Sequence, residues 1–227
     1  MTAAANTTIG LLERTVLRRG RVIGLRAWEP DTLIEVDLHL PGTDMSGWDE
    51  AQHIKCRVAS YTFRDYTAAG WDGHTRTCTL YIDTAHDGPG SRWARHLREG
   101  DFLYYAGVSR TPHPPAPWSR VVCLGDESSL GHILAFRQLL PRSSTLYGAM
   151  VLQDAAHRSC FPDFFRLPMD SVASVDALPH WVRERPDLVE DGIFYVVGGA
   201  GMVRRMRFQL GEWGVEPARI RSQGFWS

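Results

Sequence analysis

The stretch Phe194-Tyr-Val-Val-Gly-Gly-Ala-Gly-Met-Val-Arg204 constrains the fold more than any other part of the chain. An unbroken apolar run that stops on glycines and passes at once into an Arg-bearing helical pattern is how a parallel strand hands a nucleotide to a helix N-terminus. A strand of this kind is buried on both faces and needs neighbours like itself. Residues 120–125 and 145–152 are such runs, residues 172–175 are a third candidate, and helical patterns cover 130–140 and 202–213. This alternation predicts a small parallel sheet covered by helices. The sequence then closes on Gly224-Phe-Trp226, and a Trp is unusual where chains commonly fray.

The first half has a different texture. Residues 32–40, 53–58 and 75–83 alternate with period two, and residues 21–28 and 102–107 read as further strands. Gly88-Pro-Gly90 ends the strongest alternation, and Ser91 is placed to cap a helix over 92–98. Short strands with one small helix predict an antiparallel β-barrel. Thr111-Pro-His-Pro-Pro-Ala-Pro-Trp118 is a Pro-rich linker and marks the boundary. The fold class is therefore a β-barrel plus α/β, with an antiparallel barrel domain over 1–112 and an α/β domain over 119–227.

Composition narrows the function classes. Hydrophobic content of 44% and charged content of 22% are those of a globular domain, and a net charge of −1 offers no field for nucleic acid or anionic membrane. Residues Met1 to Thr8 lack the basic and apolar regions of a signal peptide, and no apolar run reaches the length of a membrane span. Cys56, Cys78, Cys123 and Cys160 form no CxxC pair, and their apolar flanks predict buried, reduced thiols in a cytoplasmic protein. The histidines make no HxxxH or HExxH spacing, so no metal site is expected; His86 and His132 lie beside the motifs below. Lys55 is the only lysine among 25 cationic residues, and Arg suits bidentate contacts to phosphate or carboxylate.

Three motifs carry chemistry. Tyr61-Thr-Phe-Arg64 follows a strand. In a barrel, Tyr61 can lie against a flavin ring, Thr62 can bond its edge and Arg64 can hold a phosphate, with Phe63 between them. Asp87-Gly-Pro-Gly-Ser-Arg-Trp-Ala94 has the glycines and the helix start that let N–H groups approach a pyrophosphate, with Gly90 and Ser91 at the anion and Trp93 packing the helix to the barrel. Gly125-Asp-Glu-Ser-Ser-Leu130 sits at the carboxyl end of the first parallel strand, where open α/β sheets bind ligands. Asp126 and Glu127 repel a pyrophosphate unless turned away, so a nicotinamide or ribose contact through Ser128 or Ser129 is the better reading; plain helix capping remains its alternative.

In this order, the motifs resemble the siderophore-interacting proteins, FAD-containing ferric-siderophore reductases of the ferredoxin–NADP reductase superfamily. His53-Ile-Lys55 is similar to the family's His-Val-Lys strand, and Tyr61-Thr-Phe-Arg64 to its Arg-x-Tyr-Thr-Val-Arg motif. The stretch from His86 to Ala94 is similar to its Gly-Pro-Ala-Ser-Arg-Trp-Ala loop, and Gly125 to Leu130 to its Gly-Asp-Glu-Thr-Ala-Leu. The Val203-Arg204 helix and Gly224-Phe-Trp226 resemble its Val-Arg helix and Gly-Tyr-Trp ending. The resemblance implies an FAD-binding barrel and a nicotinamide-type domain. The implied activity is electron transfer from NAD(P)H through FAD to Fe(III) in a siderophore, which releases Fe(II). Tyr61, Thr62, Phe63, Arg64, His86, Gly90, Ser91, Trp93, Gly125, Asp126, Glu127 and Ser128 would hold the cofactors. Lys55, Arg204 and Arg207 would form a cationic mouth for an anionic small-molecule substrate, and Trp226 would be a movable cover.

Two positions depart from the pattern. Ala59 stands where the flavin motif has its first Arg, a charge-assisted contact worth about 1.5–3 kcal/mol. Arg57, two residues away on the same face by strand alternation, is the candidate replacement. Gly199 stands where the family has Glu. These departures keep open a flavin-independent enzyme or binding protein on the same scaffold, acting on an organic substrate in natural-product biosynthesis, and also a general flavin reductase.

Overall fold

The computed structural model describes residues 17–112, 114 and 120–226. The reading of Met1 to Thr8 and most of the Pro-rich linker, His113 and residues 115–118, lie outside the described residues. The chain divides into two compact units between Pro112 and His113.

The first unit contains β1 (Arg18–Trp28), β2 (Leu33–His39), β3 (Gln52–Ala59), β4 (Thr62–Thr67), β5 (Ala69–Asp72), β6 (Thr77–Asp83), α1 (Pro89–His96) and β7 (Phe102–Arg110). The strands form one seven-stranded sheet in the order β4-β3-β7-β1-β2-β6-β5, with antiparallel neighbours throughout. The two ends of this order, β4 and β5, are separated in the chain by Ala68 alone, so the sheet must curl round to bring them together. The alternation in β6 buries Cys78, Leu80 and Ile82, which join Val36, Leu38, Ile54 and Tyr105 in the barrel core. Glu35 is buried on β2 and is held by Trp28 Nε1 at 2.7 Å and Arg26 Nη1 at 2.9 Å. Desolvation raises its pKa despite these two bonds.

Helix α1 starts earlier than a Ser91 cap predicts. Gly88 is its N-cap and Pro89 its first residue, a position where a fixed φ and a missing N–H cost nothing. Ser91 is therefore a buried first-turn residue rather than the cap. The Tyr61 motif is likewise split: Tyr61 sits in the β3–β4 turn, and Thr62, Phe63 and Arg64 open β4.

The second unit contains β8 (Arg120–Asp126), a 3-10 turn (Glu127–Ser129), α2 (Leu130–Leu139), β9 (Thr145–Val151), α3 (Ala155–Phe165), β10 (Asp170–Val172), α4 (Ala177–Arg183), α5 (Pro186–Asp191), β11 (Ile193–Gly199), α6 (Ala200–Glu212) and β12 (Ile220–Trp226). Its sheet is parallel throughout, in the order β10-β9-β8-β11-β12. Strands β8 and β11 are buried almost end to end, as central strands covered on both faces must be. The terminal Gly224-Phe-Trp226 is not a loose end: it belongs to β12, paired with β11 through Gly198 opposite Gly224. No described helix is long and apolar enough to cross a membrane. Cys56, Cys78 and Cys123 are buried, and burial pushes the last two thiols up to about 12. Cys160 is exposed on α3, contrary to its apolar flanks.

Candidate cofactor sites

In the barrel unit, the candidate residues gather on the β3–β4 hairpin and α1. Tyr61 adopts a left-handed backbone, φ 50°, and its side chain is 71% exposed. A non-glycine residue in this region is strained, and such strain clusters at ligand sites. Register fixes which way β4 faces. Arg64 lies opposite Cys56 and Tyr66 opposite Ile54, on the side of the core residues Cys56 and Ile54. Phe63, Asp65 and Thr67 lie opposite Arg57, Lys55 and His53 on the other side.

Arg64 and Tyr66 thereby meet the first turn of α1. Gly90 has no room for a Cβ, because the Tyr66 hydroxyl fills that place and Arg64 Cγ lies 3.4 Å from it. Tyr66 in turn stacks on Trp93, with ring centroids 5.9 Å apart. The Arg64 guanidinium donates only to Phe63 O, at 2.7 Å, and forms no ion pair among the described residues. The first N–H groups of a helix have no intrahelical acceptor, Pro89 has none to offer, and Gly88 supplies no side-chain cap. The Arg64 side chain and the uncapped first turn at Gly90 and Ser91 thus lie side by side, residue types suited to a diphosphate. These residues fit the pyrophosphate of FAD, with the exposed Tyr61 ring on the same hairpin.

Other expected residues are engaged elsewhere. Ser91 Oγ points to Asp83 O at 3.4 Å, away from solvent. His86 is exposed, its ring 3.7 Å from Asp83 Oδ2. Thr62 Oγ1 donates to Ser60 O at 3.1 Å. Lys55 is paired with Asp65 at 2.8 Å. Arg57 is buried opposite Phe63, and the bulge between Arg57 and Ala59 breaks the alternation that placed them on one face. Tyr66 went unnoticed in the sequence; its signal was the two-residue spacing from Arg64 on one strand face.

In the sheet unit, the candidate residues meet at the carboxyl ends of β8 and β11, where they bond to one another. Asp126 Oδ2 accepts from Gly199 N at 2.7 Å, and Oδ1 accepts from Ser128 N at 3.1 Å and Ser128 Oγ at 2.5 Å. Gly198, at φ 130°, lets this carboxylate lie against the backbone, because a Cβ there would fall 2.5 Å from Asp126 Oδ1. Glu127 is buried and accepts from Gln153 N at 2.5 Å, which ties the 3-10 turn to the end of β9. Both carboxylates are turned into the protein, and Gln153 is the partner that no sequence pattern announced.

Ser128 Oγ, which donates to Asp126, also accepts from Trp226 Nε1 at 3.0 Å. The indole lies over Gly199: a Cβ on that glycine would be 3.0 Å from Trp226 Cζ2. The Glu-to-Gly departure therefore leaves the space that Trp226 occupies. Trp226 is 54% exposed, and Phe225 beside it packs on the buried His132 at 5.5 Å. A ligand that donates to Ser128 Oγ competes with the indole for it. On α6, Arg204 and Arg207 are exposed and form no ion pair among the described residues, while Arg205 is bonded to Asp176. No group of His, Cys, Asp and Glu among the described residues is arranged to hold a metal ion.

No protein-family model matches the chain, and no curated protein matches it. Solved structures do. The siderophore-interacting protein SipS from Aeromonas hydrophila superposes with a TM-score of 0.74 at 17% identity, covering 92% of this chain and 91% of its own. The siderophore-interacting protein from Acinetobacter baumannii gives 0.76 at 12% identity, covering 92% and 90%. A ferredoxin NADP+ reductase from Neisseria gonorrhoeae, solved with bound FAD and NADP, gives 0.70 at 13% identity, covering 92% and 98%. The chain thus has the fold of the FAD-binding ferredoxin–NADP reductases, which the siderophore-interacting proteins share.

Proposed function

We propose that the protein is an FAD-dependent, NAD(P)H-linked reductase that acts on a ferric siderophore in the cytoplasm. The observation that carries this reading is the Arg64 side chain, without an ion pair among the described residues, beside the uncapped first turn of α1 at Gly90 and Ser91. Bound FAD would supply the two-electron to one-electron conversion that joins a nicotinamide to iron. The chain's own part is orientation. Arg64 and the first turn of α1 hold the diphosphate, Tyr66 and Trp93 brace that turn, and Tyr61 offers its ring as a platform. At Ser128 and Gly199, the Trp226 indole keeps water from the donor's place until a nicotinamide displaces it. On α6, Arg204 and Arg207 attract the anionic chelate; on the barrel, Lys55 carries a charge that Asp65 tempers. Iron leaves after reduction because hard oxygen ligands hold Fe(II) more weakly than Fe(III).

The test is an absorbance spectrum of the purified protein, with and without added FAD, followed by anaerobic NAD(P)H oxidation with a ferric hydroxamate or catecholate. A flavin band near about 450 nm and chelate-dependent oxidation are expected. A colourless protein that FAD cannot reconstitute overturns the reading. A second reading, a flavin-independent enzyme or binding protein for an organic ligand, is favoured by one observation: Asp126, Glu127 and Ser128 are all satisfied internally.

A further inference from the structure

The loop between β6 and α1 is held by the helix it leads into. Arg92 Nη1 donates to Asp87 O at 2.9 Å and lies 3.2 Å from Asp87 Oδ2. Arg95 Nη2 donates to Thr84 O and, at 3.4 Å, to His86 O, while its Nη1 is 3.9 Å from Asp87 Oδ1. The start of the loop is fixed from the other side: Thr84 N donates to Thr32 O at 2.8 Å, and Thr84 Oγ1 to Asp31 O at 2.9 Å. Both guanidiniums are thus turned back onto residues 84–87. What they hold matters most at Asp87, the acidic residue of this loop, which directly precedes the N-cap Gly88. A carboxylate beside a helix start ordinarily accepts from the first N–H groups. From Asp87 to Gly90 N the reach is three residues, the reach that Asp72 Oδ1 makes to Thr75 N at 3.3 Å. The Asp87 carboxylate instead lies against Arg92 and Arg95. An exposed ion pair is weak alone, but Arg92 grips both the carboxylate and the carbonyl of one residue.

We propose that Arg92, with Arg95 beside it, is a positioning residue: it withholds Asp87 from the N-terminus of α1 and so keeps that turn open to an anion. Released, the carboxylate caps Gly90 N–H from within the chain, and its charge repels a diphosphate arriving at the same turn. Arg92 therefore acts on the ligand through Asp87, whereas Arg64 acts on it directly. The inference rests on the FAD reading for the identity of the anion, but the placing of Asp87 is open to measurement without flavin.

Two measurements on the full-length protein test this. Amide hydrogen exchange without flavin should show the Gly90 and Ser91 N–H groups exchanging more slowly in Arg92→Gln than in the wild type, because Asp87 now caps them, and Asp87→Ala in the same chain should reverse the change. Unchanged or faster exchange in Arg92→Gln overturns the proposal. Fluorescence titrations with FAD and with riboflavin, which carries no phosphate, give the consequence for binding. Arg92→Gln should weaken FAD by about threefold to tenfold and leave riboflavin alone, and the Asp87→Ala, Arg92→Gln double variant should regain the wild-type FAD affinity. A loss of FAD that Asp87→Ala does not restore makes Arg92 a direct phosphate ligand and overturns the positioning role. An equal loss of riboflavin makes the loop a general folding element and overturns it too. A wild type that binds neither flavin removes the reductase reading, and the exchange comparison then decides the placing of Asp87 by itself.

Discussion

The barrel hairpin and the carboxyl edge of the parallel sheet both collect polar residues where a cofactor is expected, yet they spend their hydrogen bonds differently. On the barrel, Arg64 keeps its charge unpaired, Tyr61 holds its ring in solvent on strained backbone, and α1 begins without a side-chain cap. On the sheet, Asp126, Ser128, Gly199 and Trp226 form a closed circuit, and Glu127 is fastened to Gln153. Open donors beside a glycine turn suit an anionic ligand, as the proposed FAD site requires. A closed circuit is organised for stability, and it admits a ligand only by exchanging one internal bond for another. The same fold thus carries a prepared half-site and a guarded one.

The largest effect that breaks this comparison is at Asp126. Asp126→Ala removes the acceptor of Gly199 N–H and Ser128 N–H, and Gly199 is buried, so a loss of about 3 kcal/mol in unfolding free energy is expected from urea denaturation. Arg64→Gln should do the reverse. Stability should stay within about 0.5 kcal/mol because Arg64 is exposed, while FAD affinity measured by fluorescence quenching falls by about 10- to 100-fold. If both variants lose stability and neither loses flavin, the two regions are not different in kind.

The guard itself is tested at Gly199. Gly199→Ala puts a methyl group 3.0 Å from the Trp226 ring, so the indole must shift by a few tenths of an ångström or leave Ser128. The expected cost is about 1 kcal/mol, with a change in Trp fluorescence. In the Trp226→Ala background the same substitution should cost less, because only the contact with Asp126 Oδ2 at 3.2 Å remains, and a double-mutant cycle measures the difference. Additive effects would mean that the indole does not rest on Gly199.

How much of this was readable from residues follows from what each signal depends on. Period-two alternation in residues 75–83 and the unbroken apolar run at 194–197 identified β6 and β11, because burial on one or two faces writes itself into composition. Strand β12 gave no such signal: Ile220–Trp226 is a half-buried edge mixing Arg, Ser, Gln and Gly. Helix α3 carries Pro162 and lacks a clean apolar stripe, and α4 and α5 are too short to show a period. The start of α1 was misplaced because Ser91 is a good cap by type, whereas Pro89 fits the first helical position by geometry. Glycines and aromatics marked both candidate sites. Which groups bond to which was out of reach, since it depends on register: the bulge after Arg57 turns a same-face inference into an opposite-face fact.

The smallest effect concerns the other face of the barrel hairpin. His53 is buried there, with Nδ1 3.1 Å from Thr67 Oγ1, and Lys55 is closed by Asp65. Desolvation depresses the His53 pKa below its ordinary 6.5; Asp65 opposes this shift and Lys55 adds to it. A histidine whose folded pKa is depressed binds its proton more readily in the unfolded chain. Its contribution is therefore present above the ordinary 6.5 and is lost as pH falls through the lower folded value. Urea midpoints should drop between pH 7 and 5 in the wild type, and His53→Gln should flatten that part of the profile. The Glu35 carboxyl, raised by burial, acts in the opposite sense: the folded state holds its proton longer, so its contribution is greatest below the ordinary 4.5 and falls as pH rises through the folded value. The two slopes oppose each other where their windows overlap, so the profile of His53→Gln should rise toward acid if Glu35 is the only remaining buried group that titrates. A slope unchanged by His53→Gln would place the acid sensitivity elsewhere.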